Sequence, residues 1–463
     1  MTHETRNQSP PAPHSGRGIS AGLSTWLAAC LLLLWVSGCV HPDRQPLPAA
    51  TTAQGAEQAD PDGSTPPGIS IPEQVEPQLD PLVDAIARLS QHGLDPEDYG
   101  LSHILSLSND PDAQGQAARD AWRLAATHLA HGVVEPGTLQ RRRLAEMAEN
   151  AMLMQIDAQG GPAALATALD RLAPQHPEYI ALQAELARQH AALALENDPA
   201  ARATHTARID QLRVNMERWR WLPHRLGPRY VMANIPGFDV VAVEQDIVHA
   251  RHTAIFGKMN RETPAFSDSI EYIVFNPWWD VPDSIARADK LPLFRRDPGV
   301  ISRLGYRVFD RQGQAVNPAD INWSEVSAAS FPYRLRQAPG PANALGQVKI
   351  MFPNPHNVYL HDTPDRSLFD ADQRTFSSGC IRVKEPLDLA AWLLKGTPDW
   401  DRTHIDAAVA SGAETRVDLL APVPVYVAYF TAIDDSCGGV RYLPDIYGRD
   451  VAVLAALDTP VLR

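Results

Sequence analysis

The hydrophobic residues recur with helical spacing in the middle of this chain. Between about residue 79 and residue 225, apolar side chains return every three or four positions, and glycine or proline follows the last turns. The clearest predicted helices cover residues 81–89, 120–130, 177–193 and about 204–221. We therefore interpret residues 79–225 as a helical scaffold domain.

From Arg229 onward the period of the pattern switches to two, as in β-strands. We expect helices only at 386–394 and 446–457, and a long irregular insertion at 283–345. The fold class predicted is α+β, in which the helical domain is followed by a mostly β domain over residues 226–463. The predicted strands are 230–235, 238–243, 247–256, 270–275, 348–352, 357–361 and 424–430.

The first 39 residues have the pattern of a secretory signal. Basic residues precede an uncharged apolar run, which ends in small residues before Cys39. This ending resembles a bacterial lipobox, which predicts a lipidated Cys39 and, with Val40 next, an outer-membrane destination. The alternative is an uncleaved membrane anchor. Either interpretation exports the chain to the cell envelope, facing the periplasm. Residues 40–78 are proline-rich and predict a disordered tether.

Composition narrows the classes of function. The chain has 41 Lys and Arg against 55 Asp and Glu, a net charge of −14. Such a balance argues against nucleic acid as a partner, because phosphate binding needs a basic surface. The four cysteines include no Cys-x-x-Cys pair, so a structural zinc site of the usual type is not expected.

Candidate chemistry is concentrated around Cys380, which directly follows Ser-Ser-Gly. A thiol needs a base or a positive field before it can attack a carbonyl. His361, nineteen residues upstream at the end of a predicted strand, is the candidate base. Gly379 permits a tight turn, where main-chain N–H groups could hold an oxyanion. Arg382 lies on the same strand face as Cys380 and could bind a carboxylate.

The surrounding residues carry a resemblance to a known family. Ser-Ser-Gly-Cys-Ile-Arg at 377–382, preceded by Tyr-Leu-His-Asp-Thr-Pro at 359–364, resembles the active-site signature of YkuD-type L,D-transpeptidases. Ser378 stands where many members have His, and Arg382 where many have Asn. At both positions the chain is similar to the large, multi-domain Gram-negative members. Further similar stretches are 215–223, 234–238, 276–278 and 343–346.

The resemblance implies a peptidoglycan L,D-transpeptidase that uses neither a metal nor an organic cofactor. Cys380 would attack the carbonyl of the diamino acid at position three of a tetrapeptide stem. D-Ala would leave with a proton from His361, and an amine of a second stem would convert the thioester into a 3→3 cross-link. The implied partners are stem peptides and, through the N-terminal lipid or anchor, a membrane. The insertion at 283–345 would cap the substrate.

The resemblance assigns Ser378, Tyr359 and His356 to substrate binding, although a structural role for His356 is equally open. Tyr359 should face the same side as His361, because the two residues are two positions apart in a predicted strand. We expect Cys437 to be free, because a disulfide to Cys380 would silence the nucleophile.

Three alternatives remain open. Water as acceptor would make the enzyme an L,D-carboxypeptidase or amidase, and a protein lysine would make it a lipoprotein-to-wall attachment enzyme. The large helical-plus-catalytic layout favours cross-linking. In a different class, the chain would be a non-catalytic wall-binding lipoprotein, for which the intact His361 and Cys380 are not needed.

Overall fold

Three helices of the scaffold begin where an aspartate precedes a proline. The computed structural model describes residues 80–134, 154–157 and 160–459. The carboxylates of Asp80, Asp110 and Asp198 accept N–H groups of the first turns that follow them, at 2.8–3.1 Å. Each such cap stabilises its helix by about 1 kcal/mol, and proline fits the first turn because its missing N–H is not needed there.

All four predicted helices are present, and two of them begin earlier than expected because the Asp-Pro caps lie upstream. Gly93, at φ 71°, ends the first helical segment as predicted. The helices are α1 (Pro81–Ala87), α2 (Leu101–Ser106), α3 (Pro111–His131), α4 (Pro162–Leu172), α5 (Pro177–Leu195) and α6 (Pro199–Arg220), with 3-10 turns at Arg88–His92 and Pro96–Tyr99.

The C-terminal half is built on a nine-stranded sheet in the order β11-β3-β12-β10-β9-β4-β13-β1-β2. A further pairing of β2 with β3 closes this sheet on itself. Its strands are β1 (Arg229–Asn234), β2 (Asp239–Glu244), β3 (Ile247–Gly257), β4 (Phe266–Phe275), β9 (Val348–Met351), β10 (Leu360–His361), β11 (Thr375–Ser377), β12 (Ile381–Val383) and β13 (Thr415–Ala428). A hairpin of β14 (Ala432–Asp434) and β15 (Val440–Tyr442) follows β13.

The two faces of the sheet contribute to different hydrophobic cores. One core includes Ile350, Leu360 and Ile381 and packs against α10 (Pro386–Leu393) and α11 (Arg402–Ala410). The other joins outward-facing side chains such as Tyr230 to the scaffold helices. The helical half is followed along the chain by a mostly β half, which confirms the predicted α+β class. Because one core runs across residue 225, the domain boundary placed there stays a prediction.

The insertion is folded, so the expectation of an irregular segment over 283–345 is wrong. Scattered apolar residues, among them Phe294, Trp323 and Leu335, close a separate core that also buries Trp279. We call this unit the cap; it spans residues 279–345. Its elements are β5 (Trp279–Asp280), α7 (Asp283–Ile285), a π-helical turn (Ala286–Lys290), α8 (Leu291–Arg296), α9 (Val300–Arg303), β6 (Tyr306–Phe309), β7 (Ala315–Val316) and β8 (Arg334–Gln337).

Two predicted elements are shorter than expected. The strand predicted at 357–361 contains only Leu360–His361, because the Asn354 carboxamide accepts the N–H groups of His356 and Val358 and turns the chain. The helix predicted at 446–457 begins at Asp450 and is α12 (Asp450–Leu457).

The predicted signal peptide and lipobox (1–39, with Cys39) and the predicted tether (40–78) lie outside the described residues. Within the described ranges, no helix combines the length and the apolar character needed to cross a membrane.

Candidate functional site

Four of the predicted site residues come together on one face of neighbouring strands. Strand β10 pairs in parallel with β12, so that His361 lies opposite Arg382. One pair earlier, the N–H of Ile381 donates to the Tyr359 carbonyl at 3.1 Å, which places Cys380 beside Tyr359. Because side chains alternate along a strand, these four side chains share a face. The expected same-face relationships therefore agree with the observed register.

The turn that presents Cys380 is held by hydroxyl groups. The Ser377 hydroxyl donates to the Cys380 carbonyl at 2.5 Å and accepts the Gly379 N–H at 3.1 Å. The Thr263 hydroxyl donates to the Gly379 carbonyl at 2.9 Å. Gly379 has φ 114°, a conformation that disfavours any side chain. The Gly379 N–H is engaged by Ser377, whereas the N–H of Cys380 has no acceptor among the described residues.

The Cys380 thiol is partly exposed and is surrounded by polar groups. Its Sγ lies 3.5 Å from the Asn357 carbonyl oxygen. Burial raises the pKa of the thiol. The N–H and hydroxyl groups of Tyr359, followed by the charges of Lys349 and Arg382, lower that pKa and oppose the effect of burial. The resting thiol is therefore protonated at neutral pH and has a set of groups ready to stabilise its thiolate.

His361 is buried and oriented by the main chain. Its Nδ1 lies 2.5 Å from the Asp362 carbonyl oxygen. A carbonyl only accepts hydrogen bonds, so the proton is on Nδ1 and Nε2 carries a free lone pair. Burial first, then the charges of Arg382 and Lys349, lower the pKa of His361 to about 3. The imidazole is therefore neutral at physiological pH and can accept a proton at Nε2.

The cap reaches the same face. Burial raises the pKa of the Tyr359 hydroxyl well above its ordinary value, and the Trp279 side chain opposes this effect. Arg261 joins the cap to the turn that carries Cys380, because its guanidinium donates to the Ser378 hydroxyl at 3.0 Å and contacts the Asp289 carboxylate at 2.6 Å. The cap is thus fixed beside the turn that carries the thiol.

The remaining predicted residues lie at the edge of this group. Ser378 is exposed and its hydroxyl contacts Arg261. His356 is exposed, and its ring packs against Phe266 with 4.9 Å between centroids. That contact supports the structural role left open for His356.

Among the described residues, no cluster of three or more His, Cys, Asp or Glu has the arrangement of a metal site. Cys380 is a free thiol. Cys437 is disulfide-bonded, so the expectation that it is free is wrong. The disulfide of Cys437 does not involve Cys380. The condition behind that expectation, a free Cys380, is therefore still met.

Sequence reasoning missed several residues of the site. Lys349, on β9, lies directly opposite His361. A single lysine within the apolar run Val-Lys-Ile-Met was the available signal. Asn357 and Asp362 act through main-chain carbonyls, for which side-chain chemistry gives no signal.

Comparison with known proteins agrees with the geometry. Residues 228–404 match the family described as the L,D-transpeptidase catalytic domain, YkuD. Residues 71–186 match the family described as the Scaffold domain. A Haemophilus influenzae protein with the provisional name L,D-transpeptidase is 36% identical over 240 residues, which are 52% of this chain and 48% of that protein. The chain therefore spans about half the length of this curated relative.

Two solved structures are similar at low level. An L,D-transpeptidase from Mycobacterium smegmatis aligns with 16% identity and a TM-score of 0.20, covering 43% of this chain and 58% of that one. Mycobacterium tuberculosis L,D-transpeptidase 1 aligns with 15% identity and a TM-score of 0.18, covering 43% and 61%. Neither score supports an inference about this chain. The two family matches, together with the α+β architecture, show that the chain carries a YkuD L,D-transpeptidase catalytic domain and a scaffold domain.

Proposed function

We propose that the chain is a peptidoglycan L,D-transpeptidase that forms 3→3 cross-links through a thioester on Cys380. The observation that carries this proposal is the shared strand face of Cys380 and His361. There a free thiol lies two register positions, and so on the same face, from a neutral imidazole whose Nδ1–H is fixed by the Asp362 carbonyl. Nucleophile, base and orienting group are the three parts that acyl transfer requires.

In the first half-reaction, the Cys380 sulfur attacks the carbonyl carbon of the diamino acid at position three of a donor tetrapeptide. The thiol proton passes to Nε2 of His361. The tetrahedral intermediate then breaks its C–N bond, and the D-Ala amine leaves with that proton. The products are free D-Ala and a thioester on Cys380, and the imidazole is neutral again.

The Cys380 N–H is our candidate for the oxyanion donor. It lies next to the nucleophile and has no acceptor among the described residues, while Ser377 and Thr263 hold the turn around it. Removal of one oxyanion donor typically costs ~10²–10³ in rate. A donor supplied by the main chain cannot be deleted by mutation of a side chain. The position to alter is therefore Ser377, whose hydroxyl group fixes the turn around this N–H.

In the second half-reaction, a side-chain amine of a second stem attacks the thioester carbonyl. His361 takes the proton from the amine, and the proton returns to the departing Cys380 sulfur. An amide bond forms as the C–S bond breaks, so the enzyme is regenerated with no external energy source. A water molecule in place of the amine would give carboxypeptidase activity, and a protein lysine would give lipoprotein attachment.

The charges beside the nucleophile suit a donor that carries carboxylates. Arg382 is held only loosely by Asp365, at 3.7 Å, and the side chain of that aspartate is mostly exposed. A guanidinium with a weak partner can bind a substrate carboxylate through two parallel hydrogen bonds. Following the resemblance, we also assign Tyr359 and the exposed Ser378 to substrate binding.

For location, we propose that processing before Cys39 leaves a lipidated N terminus and that residues 40–78 tether the folded part to the inner leaflet of the outer membrane. An uncleaved anchor is the alternative. Metabolic labelling with a palmitate analogue, with Cys39→Ala as control, distinguishes the two.

The test of the activity is a product analysis. The purified full-length chain in detergent is incubated with disaccharide-tetrapeptide, and the masses of the products are determined by mass spectrometry. The Cys380→Ala variant is treated in the same way as the control. The proposal predicts a dimer that lacks one alanine and is absent with the variant. A monomer that lacks one alanine would instead identify a carboxypeptidase.

An unchanged substrate would contradict cross-linking of free stems. Equal dimer formation by Cys380→Ala would contradict the cysteine mechanism. The wall-binding alternative predicts that the protein sediments with purified peptidoglycan and that a carbapenem leaves Cys380 unmodified.

A further inference from the structure

A row of three side chains crosses the sheet beside the nucleophile. Lys349 on β9 lies opposite His361 on β10, and His361 lies opposite Arg382 on β12. All three therefore lie on the face that carries Cys380 and Tyr359. His361 is flanked by a cation on each side.

Lys349 is half-buried, and no carboxylate forms an ion pair with it among the described residues. Its Nζ lies 4.1 Å from the centroid of the Tyr359 ring, and the hydroxyl group of that ring acts on the Cys380 sulfur. Asp280 and Glu414 lie within electrostatic range and favour the charged form of Lys349, although burial lowers its pKa. The ammonium therefore lies over the Tyr359 ring and interacts electrostatically with Cys380.

Lys349 and Arg382 shift the pKa of two neighbouring groups, Cys380 and His361, in the same direction. Positive charge stabilises a thiolate, and it disfavours a protonated imidazole. Accordingly, Lys349 and Arg382 lower the pKa of Cys380 and also that of His361. Lys290 of the cap is not among the groups that shift the pKa of Cys380 or His361. Its own pKa is lowered by burial first and then by Arg382, and it is raised by Asp289 and Asp365.

We propose that Lys349, together with Arg382, provides the counter-charge of the Cys380 thiolate, so that His361 remains neutral and no thiolate–imidazolium pair forms. Lys349 is in this view a positioning residue that acts through charge, directly and across the Tyr359 ring. The inference rests on the proposed function only in taking Cys380 as the nucleophile. It concerns the free enzyme, in which the protonated thiol ionises as the pH rises. Once a stem peptide is bound, the thiol proton passes to His361 during the attack on the carbonyl.

The test compares Lys349→Met with Lys349→Arg in the full-length chain. The rate of Cys380 alkylation by iodoacetamide is measured from pH 5 to pH 10. Mass spectrometry gives the fraction of Cys380 that is modified at each time. The pKa of His361 is followed by NMR of the ¹⁵N-labelled imidazole. The matched control is Lys290→Met, which removes another half-buried lysine that lies over aromatic rings.

Loss of the Lys349 charge should raise both pKa values together. We expect alkylation at pH 7.5 to slow about tenfold, which corresponds to a rise of ~1 pKa unit in the thiol. Lys349→Arg should restore the rate, and Lys290→Met should leave it within about twofold. A folding defect would not raise two pKa values in concert, and the melting temperature of each variant shows whether it is folded.

Two results would overturn the inference. One is a wild-type His361 that titrates above pH 7 while Cys380 is fully alkylated at pH 5, because this is the signature of a thiolate–imidazolium pair. The other is an unchanged alkylation profile in Lys349→Met. Neither readout uses a stem peptide, so a failure of the transpeptidase assay is distinguishable from a failure of this inference.

Discussion

The Nδ1 atom of His361 lies 2.5 Å from the carbonyl oxygen of Asp362, the next residue in the chain. Asp362 is itself fixed, because its carboxylate accepts the Gln347 N–H at 2.9 Å and lies 2.6 Å from the Arg366 guanidinium. The proposed base is therefore oriented by a main-chain group whose own position depends on a buried side chain.

This arrangement predicts that Gly346→Ala impairs catalysis. A Cβ at Gly346 would lie 2.3 Å from the Asp362 carboxylate, so Asp362 must move and the imidazole with it. A displacement of about 1 Å can cost ~10²-fold in rate. We expect kcat to fall at least tenfold, with a smaller change in KM. Gly313→Ala is the matched control, because it has a similar positive φ and no neighbour within 4 Å. Equal losses in both variants would contradict this account.

The neutral state of His361 has a consequence for stability. Its pKa is about 3 in the folded chain and ~6.5 when unfolded. Protons bind the unfolded state first as the pH falls below ~6.5, so the contribution of this group is complete above that pH and declines toward pH 3.

His361→Gln should therefore lose less stability than the wild type between pH 7 and pH 4.5, by about 1–3 kcal/mol. Urea denaturation gives the free energy of unfolding of each protein at both pH values. The loss between pH 7 and pH 4.5 in the variant is then subtracted from the loss in the wild type. His356→Gln, at an exposed position, should behave as the wild type. An identical acid sensitivity of His361→Gln and the wild type would show that His361 is protonated in the folded state.

The alternation of side chains along a strand was enough to predict that Cys380 and Arg382 share one strand face. The same period predicted that Tyr359 and His361 share a face. It could not show that β9, β10 and β12 are neighbours, since that pairing joins residues far apart in the chain. For this reason Lys349 was missed, although it lies directly opposite the predicted base.

The insertion at 283–345 was expected, but its folded structure was missed for a different physical reason. Its apolar residues follow neither a helical nor a strand period, and each of its strands is at most four residues long. Such a unit is stable only once its scattered side chains meet, which local patterns do not encode. The turn at Asn354 also shortened the predicted strand before His361, because a carboxamide competed for its main-chain N–H groups.

The stretch around Asn215 that resembles the family has a structural explanation. Arg220 and Glu217 form an ion pair with both side chains fully buried, and Arg220 also donates to the His92 carbonyl and the Tyr179 hydroxyl. Asn215 accepts the N–H of Thr431 at 2.8 Å and so links α6 to the segment between β13 and β14.

Arg220→Met should therefore lower the free energy of unfolding by about 3–5 kcal/mol, because it leaves the Glu217 charge buried and unpaired. Adding Glu217→Gln to this variant should recover part of the loss, which guanidinium denaturation can measure. A double variant less stable than Arg220→Met would show that the buried charge is not the cause.

The contact of Arg261 with both Asp289 and Ser378 predicts a role in substrate affinity. Arg261→Gln should release the cap from the catalytic turn and raise KM for a tetrapeptide several-fold, while the rate of Cys380 alkylation stays the same. Arg303→Gln, which breaks an exposed ion pair with Asp297 within the cap, is the control. A changed alkylation rate without a changed KM would mean that Arg261 acts on the thiol instead.

The most direct test of the central claim is to trap the acyl-enzyme. The full-length chain is mixed with a tetrapeptide donor whose own side-chain amine is acetylated, and the intact protein is weighed within seconds. The account predicts a mass increase equal to the donor minus D-Ala, located on the peptide that contains Cys380 and released by hydroxylamine. Loss of D-Ala without an adduct on Cys380, or the same adduct in Cys380→Ala, would contradict it.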